Sequence, residues 1–541
     1  MPDGSEVAEL LPRLRDDLGY RRIAQGIGTL DRSRPLIEAL RPETRNAGIL
    51  VGLIAQWVDA GFATPDLLRD LLARFPSSVR SSQPLLDYLH LRMAEGVLEM
   101  WEENFDRATV HFRFVQSLED EIQDRELLAI ANFWTGRCLR RMGQYDDAAT
   151  YTARGEELAL ACGYTQMAAI TQAARSWLAF QKGKLTEALA ILHRAEEALN
   201  HTDDFLSRGN VQSAYGRIAR RQGRYQRALE CFERAIAEYR LGGGGQSQLA
   251  RALLNLAFVK RLLALEMQKQ LDHLAASRRS GQDEAAATLR SREERLKIER
   301  VRGESAAHLE ESMAIYRRYH NHRGIAGVHI NRGFLHLDAG DLECAAAEAA
   351  EAFRHGEEKR DSIVMARART LECIIENAAL EEQVGDSGRH REAAEAFARD
   401  AVEYAGHTQN KRLLARAYVC EGLTFAAEPG GDPEAARRCY EQAVALIQTE
   451  TSEKQYIWDD LEKLKAAVLR ARPVDAALRA WSAGVVGEKS FQQMTEEFAR
   501  IVIPKVWERE GRKVSRVAEK LSISPKKVRR ILQAAGVRTG A

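Results

Sequence analysis

This chain is predicted to be all-α, a solenoid of helical hairpins followed by a small, basic helix-turn-helix at its C-terminal end. Three observations carry the prediction. Small and aromatic residues recur at steps of forty along the middle of the chain. Proline is scarce, 12 in 541 residues, while the helix formers Ala, Leu, Glu and Arg are abundant. The stretch Gly511–Gly540 holds nine cations (Arg512, Lys513, Arg516, Lys520, Lys526, Lys527, Arg529, Arg530, Arg538) against the single acid Glu519, about +8 in a chain whose net charge is +1. The rest of the chain is therefore left at roughly −7.

Size fits a repeat array better than one core. A chain of 541 residues would ordinarily divide into several domains. Stacked repeats escape that limit because each unit buries surface against its neighbours. Apolar residues make up 45% and charged residues 29%, as in ordinary soluble proteins.

Residues 1–84 read as short helices with clear start signals, Thr64-Pro65-Asp66 among them, and are expected to cap the solenoid. The most apolar run, Ile49 to Val58, is too short to cross a bilayer. The opening MPDGSEVAELLPRLRDD lacks the pattern of a signal peptide. Seven dispersed cysteines without a CxxC pair fit a reducing compartment. These features predict a cytoplasmic protein without membrane contact.

The solenoid is expected over residues 85–470. Gly96, Gly136, Ser176 and Gly216 are forty apart, as are Ala108, Ala148, Ala188 and Ala228, and the turn glycines Gly143, Gly183 and Gly223. Phe105, Tyr145, Leu185 and Tyr225 stand between turn and alanine. A small residue on the first helix lets the second approach, and the turn glycine gives the backbone freedom to reverse. Gly216, Gly223, Tyr225, Ala228, Phe232 and Ala235 meet the pattern of the tetratricopeptide repeat, which this region resembles. The resemblance implies a right-handed superhelix whose concave groove takes a protein or peptide. The forty-residue step exceeds the usual 34, so longer helices are expected. Later units are looser: Gly333, Gly340, Leu342 and Ala345; His390, Ala393 and Phe397; Gly422, Ala436, Tyr440 and Ala443.

At about residues 262–305 the repeat is interrupted by a charged stretch. A turn at Ser280-Gly281 would fold it into an antiparallel arm, either a solvated spacer or a docking or dimerisation element. Residues 471–490 are expected to be a linker or helix.

Residues 491–541 carry the second module. Val514, Val517, Ala518 and Leu521 share one helical face. Ser524 is suited to cap the next helix and Pro525 to begin it, with Val528, Ile531 and Leu532 inward and Lys526, Lys527, Arg529 and Arg530 outward. Gly511, Val514, Ser515, Arg516, Ala518, Leu521, Ile523, Ser524, Val528, Arg530 and Leu532 resemble the Fis-type helix-turn-helix at the C-terminus of many bacterial activators. By that resemblance the second helix enters the DNA major groove. The contacts would be Lys526, Lys527, Arg529 and Arg530, flanked by Arg516 and Lys513. The preceding helix, SFQQMTEEFARIVIPKVWERE, corresponds to the family's dimerising helix, so a homodimer is a further expectation. Pro504 predicts a kink or division of that helix. Ser522 stands where the family has a turn glycine, a change of small cost provided its φ is not positive.

Asn255 and Asn331 each lie two residues before the small residue of a first helix, the position that lines the groove in peptide-binding tetratricopeptide proteins. Arg140, Arg217, Arg220 and Arg332 also lie on first helices and would meet acidic groups on a partner.

No enzyme signal emerges. Gly385-Asp386-Ser387-Gly388 falls in an inter-helix loop, and Gly242–Gly245 lacks the Lys-Ser/Thr of a phosphate loop. His320 and His322 are poorly spaced for a helical metal pair, and Glu156-Glu157 and Glu381-Glu382 read as solvated faces. No catalytic residue, metal or cofactor is expected. The sequence points to a bacterial transcription regulator that joins a partner-binding solenoid to a DNA-binding module. The rival is a non-enzymatic scaffold whose last helices dock a protein, and a toxin-regulating adaptor is a third reading.

Overall fold

The computed structural model describes residues 4–62, 64–243, 246–276, 284–427, 431–447, 456–471, 490–534 and 537. The expected arm turn at Ser280-Gly281, most of the 471–490 linker, Gly244, Gly245 and Arg538 lie outside them. Every regular element among the described residues is a helix, and the chain divides into two compact units, Met1–Leu464 and Lys465–Ala541.

The first unit opens with α1 (Gly4–Gly19), α2 (Ile23–Arg32), α3 (Arg34–Glu38), α4 (Ala47–Asp59), α5 (Pro65–Ala73) and α6 (Ser77–Arg80). The apolar run noted in the sequence is α4, buried almost throughout. Asp87 caps it from outside, its Oδ1 accepting from the amides of Gly48 at 2.9 Å and Ile49 at 3.3 Å. The core of α1–α5 continues without a break into the first hairpins.

Hairpins then follow one another: α7/α8 (Leu85–Trp101, Phe105–Gln116), α9/α10 (Arg125–Met142, Tyr145–Ala161), α11/α12 (Thr165–Gln181, Leu185–Leu199) and α13/α14 (Phe205–Arg221, Tyr225–Leu241). After them come α15/α16 (Gln246–Ala276, Glu284–Arg318), α17/α18 (His322–Asp338, Leu342–Glu358), α19/α20 (Ser362–Glu381, Ser387–Gly406) and α21/α22 (Lys411–Ala426, Pro433–Ile447), with α23 (Tyr456–Ala471) next.

The forty-residue signature has a steric cause. A Cβ on Gly96 would stand 2.4 Å from the Phe112 ring, and one on Gly136 would stand 2.5 Å from Thr152 Oγ1. Ser176 fits the equivalent place because its hydroxyl donates to the Ala188 carbonyl of the facing helix at 2.9 Å. Ala108, Ala148, Ala188 and Ala228 are fully buried where the helices cross. Gly143 turns the second hairpin with φ +83. Forty residues earlier that left-handed position is held by Glu103, at φ 61.

α15 and α16 extend beyond the length of the other hairpin helices and pair along their extensions. Ala264, Leu271 and Ile298 form the core between them, Lys260 pairs with Glu304 at 2.6 Å, and Lys269 reaches Asp459 at 3.2 Å.

The superhelix winds far enough for distant hairpins to touch. The Gln409 amide donates to the Gly143 carbonyl at 2.9 Å, and Asp146 N donates to Gln409 Oε1 at 2.7 Å. Asn410 Nδ2 donates to the Tyr145 hydroxyl at 3.1 Å. Beside this clasp, Lys359 Nζ meets the Glu102 carbonyl at 3.1 Å and the Arg323 amide meets Glu103 Oε2 at 3.3 Å.

The second unit contains α24 (Phe491–Arg509), α25 (Val514–Lys520) and α26 (Pro525–Ala534). Their core is Ile503, Trp507, Val517, Ala518, Val528, Ile531 and Leu532. Ser490 begins α24 with a capping box shared with Gln493. Of the two outcomes expected at Pro504, division does not occur: α24 runs from Phe491 to Arg509 with Pro504 inside it. Ser522 has φ 51, so the condition for a small cost is not met and its side chain is held in the strained left-handed region.

Candidate functional site

The superhelix lines a partly open cavity of about 800 Å³. Its lining includes Arg137, Arg140, Arg141, Arg217, Arg220, Arg251, Arg323, Arg367, Arg412 and Arg416, against two acids, Asp59 and Glu103. All ten arginines stand on first helices of hairpins, from α9 to α21. Trp177, Phe258, Tyr316, Tyr319 and Phe334 supply aromatic surface between them.

Both lining acids are already engaged. Asp59 pairs with Arg137 and accepts from Trp134 Nε1 at 3.1 Å. Glu103 pairs with Arg141 at 2.7 Å. Arg323 is held two-pronged by Asp361, beyond the lining, with its Nη2 2.7 Å from Oδ1. Arg220 donates to Asn255 Oδ1 at 3.0 Å and stacks 4.8 Å from the centre of the Phe258 ring.

Arg140, Arg217 and Arg251 differ, for no carboxylate of the described residues pairs with them. Arg140 lies over the Trp177 ring at 5.0 Å. Arg251 donates to Asn210 Oδ1 at 2.9 Å, an oxygen that also accepts from the Tyr239 hydroxyl at 3.0 Å. The Nε atoms of all three are shielded from solvent and lack a hydrogen-bond partner. Burial, with Arg251 and Arg220 nearby, pushes the Arg217 guanidinium down to about 9. Arg140 is lowered by burial and then by Arg251, Arg217, Arg137 and Arg141.

The residues expected from sequence divide. Arg140, Arg217, Arg220, Asn255 and Asn331 all line the cavity. Both asparagine amides are turned back on their own helices: Asn255 Nδ2 donates to the Arg251 carbonyl and Asn331 Nδ2 to the Gly327 carbonyl, each at 2.7 Å. Arg332 is not among the lining residues. It pairs with Glu310 and stands 3.8 Å from Glu348. The residue after a groove position on an α-helix points about 100° away from it, which explains the displacement.

The remaining lining arginines escaped the sequence reading, although a signal for some was present. Arg137, Trp177 and Arg217 are forty apart, as are Arg140, Phe180 and Arg220. Equivalent positions of successive repeats thus alternate between cation and aromatic ring.

In the second unit Lys513, Arg516, Lys526, Lys527, Arg529 and Arg530 are all exposed, and none pairs with an acid of the described residues. Lys520 is bound to Glu510, and Arg512 lies 5.7 Å from the Trp507 ring centre. The four cations of α26 surround a buried strip of Val528, Ile531 and Leu532. Lys527 N bonds to Ser524 Oγ at 3.2 Å, which caps α26.

Histidine clusters lie elsewhere among the described residues of the solenoid, one of them formed by His336, Asp341 and Cys344. His322, His355 and Glu358 offer ligand atoms within 4.8 Å of one another, and so do His329, Glu351 and His355. His329 Nδ1 is already bound to Glu348 at 2.5 Å. In Gly385-Asp386-Ser387-Gly388 the aspartate caps α20, accepting from Gly388 N at 2.9 Å. No helix among the described residues is long and apolar enough to cross a membrane.

The stack of hairpins around this open-sided cavity defines a tetratricopeptide-like superhelical solenoid. The tetratricopeptide repeat family model matches residues 207–270. A comparison with curated protein sequences finds no match. Among solved structures, a Rap protein complexed with competence and sporulation factor is similar, with 13% identity and a TM-score of 0.53, over 76% of this chain and 99% of that one. That likeness speaks for the fold. The apo quorum sensor NprR from B. thuringiensis aligns over 82% of this chain and 99% of its own, at 11% identity and a TM-score of 0.38. The Rap conjugation gene regulator of plasmid pLS20, in complex with the Phr* peptide, aligns over 76% and 98% at 13% identity and a TM-score of 0.44. These two are too loose to support an argument.

Proposed function

We propose that the chain is a cytoplasmic bacterial transcription regulator without enzymatic activity. Its solenoid holds a protein or peptide partner, and its C-terminal three-helix unit is a Fis-like helix-turn-helix that contacts DNA. The observation that carries the reading is the free cationic face of α26. Lys526, Lys527, Arg529 and Arg530 are exposed without acidic partners among the described residues, while the apolar residues between them are buried. A face of that kind recruits phosphate backbones through counterion release. Arg516 and Lys513 on the neighbouring segment are exposed as well and would bind flanking phosphates.

The solenoid half of the reading rests on the cavity, whose aromatic and cationic lining suits a bound chain or small ligand. The Rap protein of the similar fold is itself complexed with a competence and sporulation factor. Exposed Phe491 and Phe498, seven residues apart on α24, give a helix face on which two copies would pair. Partner binding would then change the curvature of the solenoid or the pairing of copies, and so reposition the DNA modules.

A mobility-shift titration of duplex DNA across salt concentrations tests this. The wild-type chain should bind with a steep inverse dependence on salt. Replacing Lys526, Lys527, Arg529 and Arg530 with alanine should flatten the log–log slope by about 3 to 4, since each phosphate left without its cation removes about 0.9. An unchanged slope refutes the DNA reading and leaves the scaffold alternative.

A further inference from the structure

We infer that Arg140, Arg217 and Arg251 form a specific site for an anionic group, a carboxylate or a phosphate, carried by a ligand small enough to lie inside the solenoid. The inference rests on the reading of the cavity as a ligand chamber and names the chemistry that chamber selects. The three side chains come from three different hairpins, on α9, α13 and α15. All three line both the 800 Å³ cavity and a recess of about 150 Å³ that adjoins the same side chains. The recess has room for about five waters, enough for one phosphate or carboxylate with part of its hydration.

Converging guanidinium groups repel one another, and a protein that keeps them together ordinarily supplies a carboxylate. Here the two acids nearby are spent elsewhere: Asp59 on Arg137 and Trp134, Glu103 on Arg141. The Nε donors of the three arginines remain unsatisfied and shielded from solvent. Such donors cost free energy until an acceptor arrives, and a planar fork of N–H groups matches carboxylate or phosphate oxygens.

The parts around the site hold it in shape. Asn210 fixes Arg251, and the Trp177 ring supports Arg140. Burial first, and then repulsion from neighbouring arginines, weakens the proton affinity of Arg140 and Arg217. An anion seated among the three would offset that repulsion. The ring surfaces of Trp177, Phe258 and Phe334 would cover an apolar remainder of the ligand.

The test uses the full-length chain, as wild type and with Lys526, Lys527, Arg529 and Arg530 changed to alanine, so that anions bound by the C-terminal unit are subtracted. Thermal melts and calorimetric titrations are run with pyrophosphate, citrate and a tri-aspartate peptide against sodium chloride of equal ionic strength. Stabilisation by pyrophosphate alone identifies a phosphate ligand, and stabilisation by citrate or the peptide alone identifies a carboxylate. In either case Arg217→Met should weaken binding at least tenfold. The same variant should melt about 2–4 °C higher without ligand, because an uncompensated charge is removed. Arg140→Leu serves as a second variant, and Arg332→Ala, outside the cavity lining, should leave anion binding unchanged.

No anion-specific stabilisation, or full retention of it in both Arg217→Met and Arg140→Leu, overturns the inference. A chain that binds DNA but answers no anion keeps the regulator reading and loses this one. A chain that binds anions and no DNA does the reverse.

Discussion

The backbone amide of Gln409 donates to the carbonyl of Gly143 at 2.9 Å, tying the tip of the second hairpin to the junction between the seventh and eighth. Around this bond the superhelix closes on itself. A Cβ on Gly143 would stand 3.0 Å from Thr408 Cβ and 3.1 Å from Ile363 Cδ1, on a backbone with φ +83. Gly143→Ala is therefore expected to destabilise the solenoid by more than about 1 kcal/mol. Urea unfolding measures the loss, and small-angle scattering should show a larger radius of gyration. Equal dimensions and equal stability would contradict the clasp.

Glu103 offers a sharper test. It occupies a left-handed turn position and pairs with Arg141 at 2.7 Å, its side chain 7% exposed. Glu103→Gln keeps the strain and breaks the pair, for an expected loss of about 3 kcal/mol. Glu103→Gly also breaks the pair but frees the backbone, and should be the more stable of the two by roughly 1 kcal/mol. Denaturant curves of both variants decide it.

Ser522 predicts a gain. Its φ of 51 follows α25, in a turn where Gly would rest without strain. Ser522→Gly should stabilise the three-helix unit by about 1 kcal/mol. Hydrogen exchange at the amides of α26 should slow accordingly, and unchanged exchange would argue against the strained turn.

Acid should loosen the N-terminal core through Asp124. Burial alone would raise this carboxyl, yet His90, Arg15 and the Leu127 amide together hold it well below the usual carboxylate range. Arg15 lies 2.8 Å away and His90 Nε2 3.7 Å. With the folded value below the unfolded one, the contribution is whole above the unfolded carboxylate range, about pH 4. It fades as pH falls from there through the folded value. Asp124→Asn should cost about 1–3 kcal/mol at pH 7 and make the acid limb of the stability curve shallower. Parallel pH profiles of the two proteins would refute it.

The hairpins were legible because their determinants are local. Gly96, Gly136, Ser176 and Gly216 each mark a crossing between two helices adjacent in sequence, at steps of forty residues, and a period survives where single residues vary. The strip Val528, Ile531 and Leu532 was legible for the same reason. The clasp was not, because Gly143 and Gln409 meet only after the intervening hairpins have set the superhelical pitch. No local pattern encodes that sum. The role of Glu103 was hidden in the same way, since the Arg323 amide that meets it arrives from a remote hairpin. Arg332 was misplaced because first-helix membership alone does not fix which way a side chain points.

The clasp also restricts how this gene can vary. An open repeat array gains or loses copies freely, since each added unit only lengthens the rod. Here, insertion or deletion of one hairpin between Gly143 and Gln409 would carry the two out of register and leave both unable to bond. Copy number is thereby frozen, and divergence is steered into side chains rather than length.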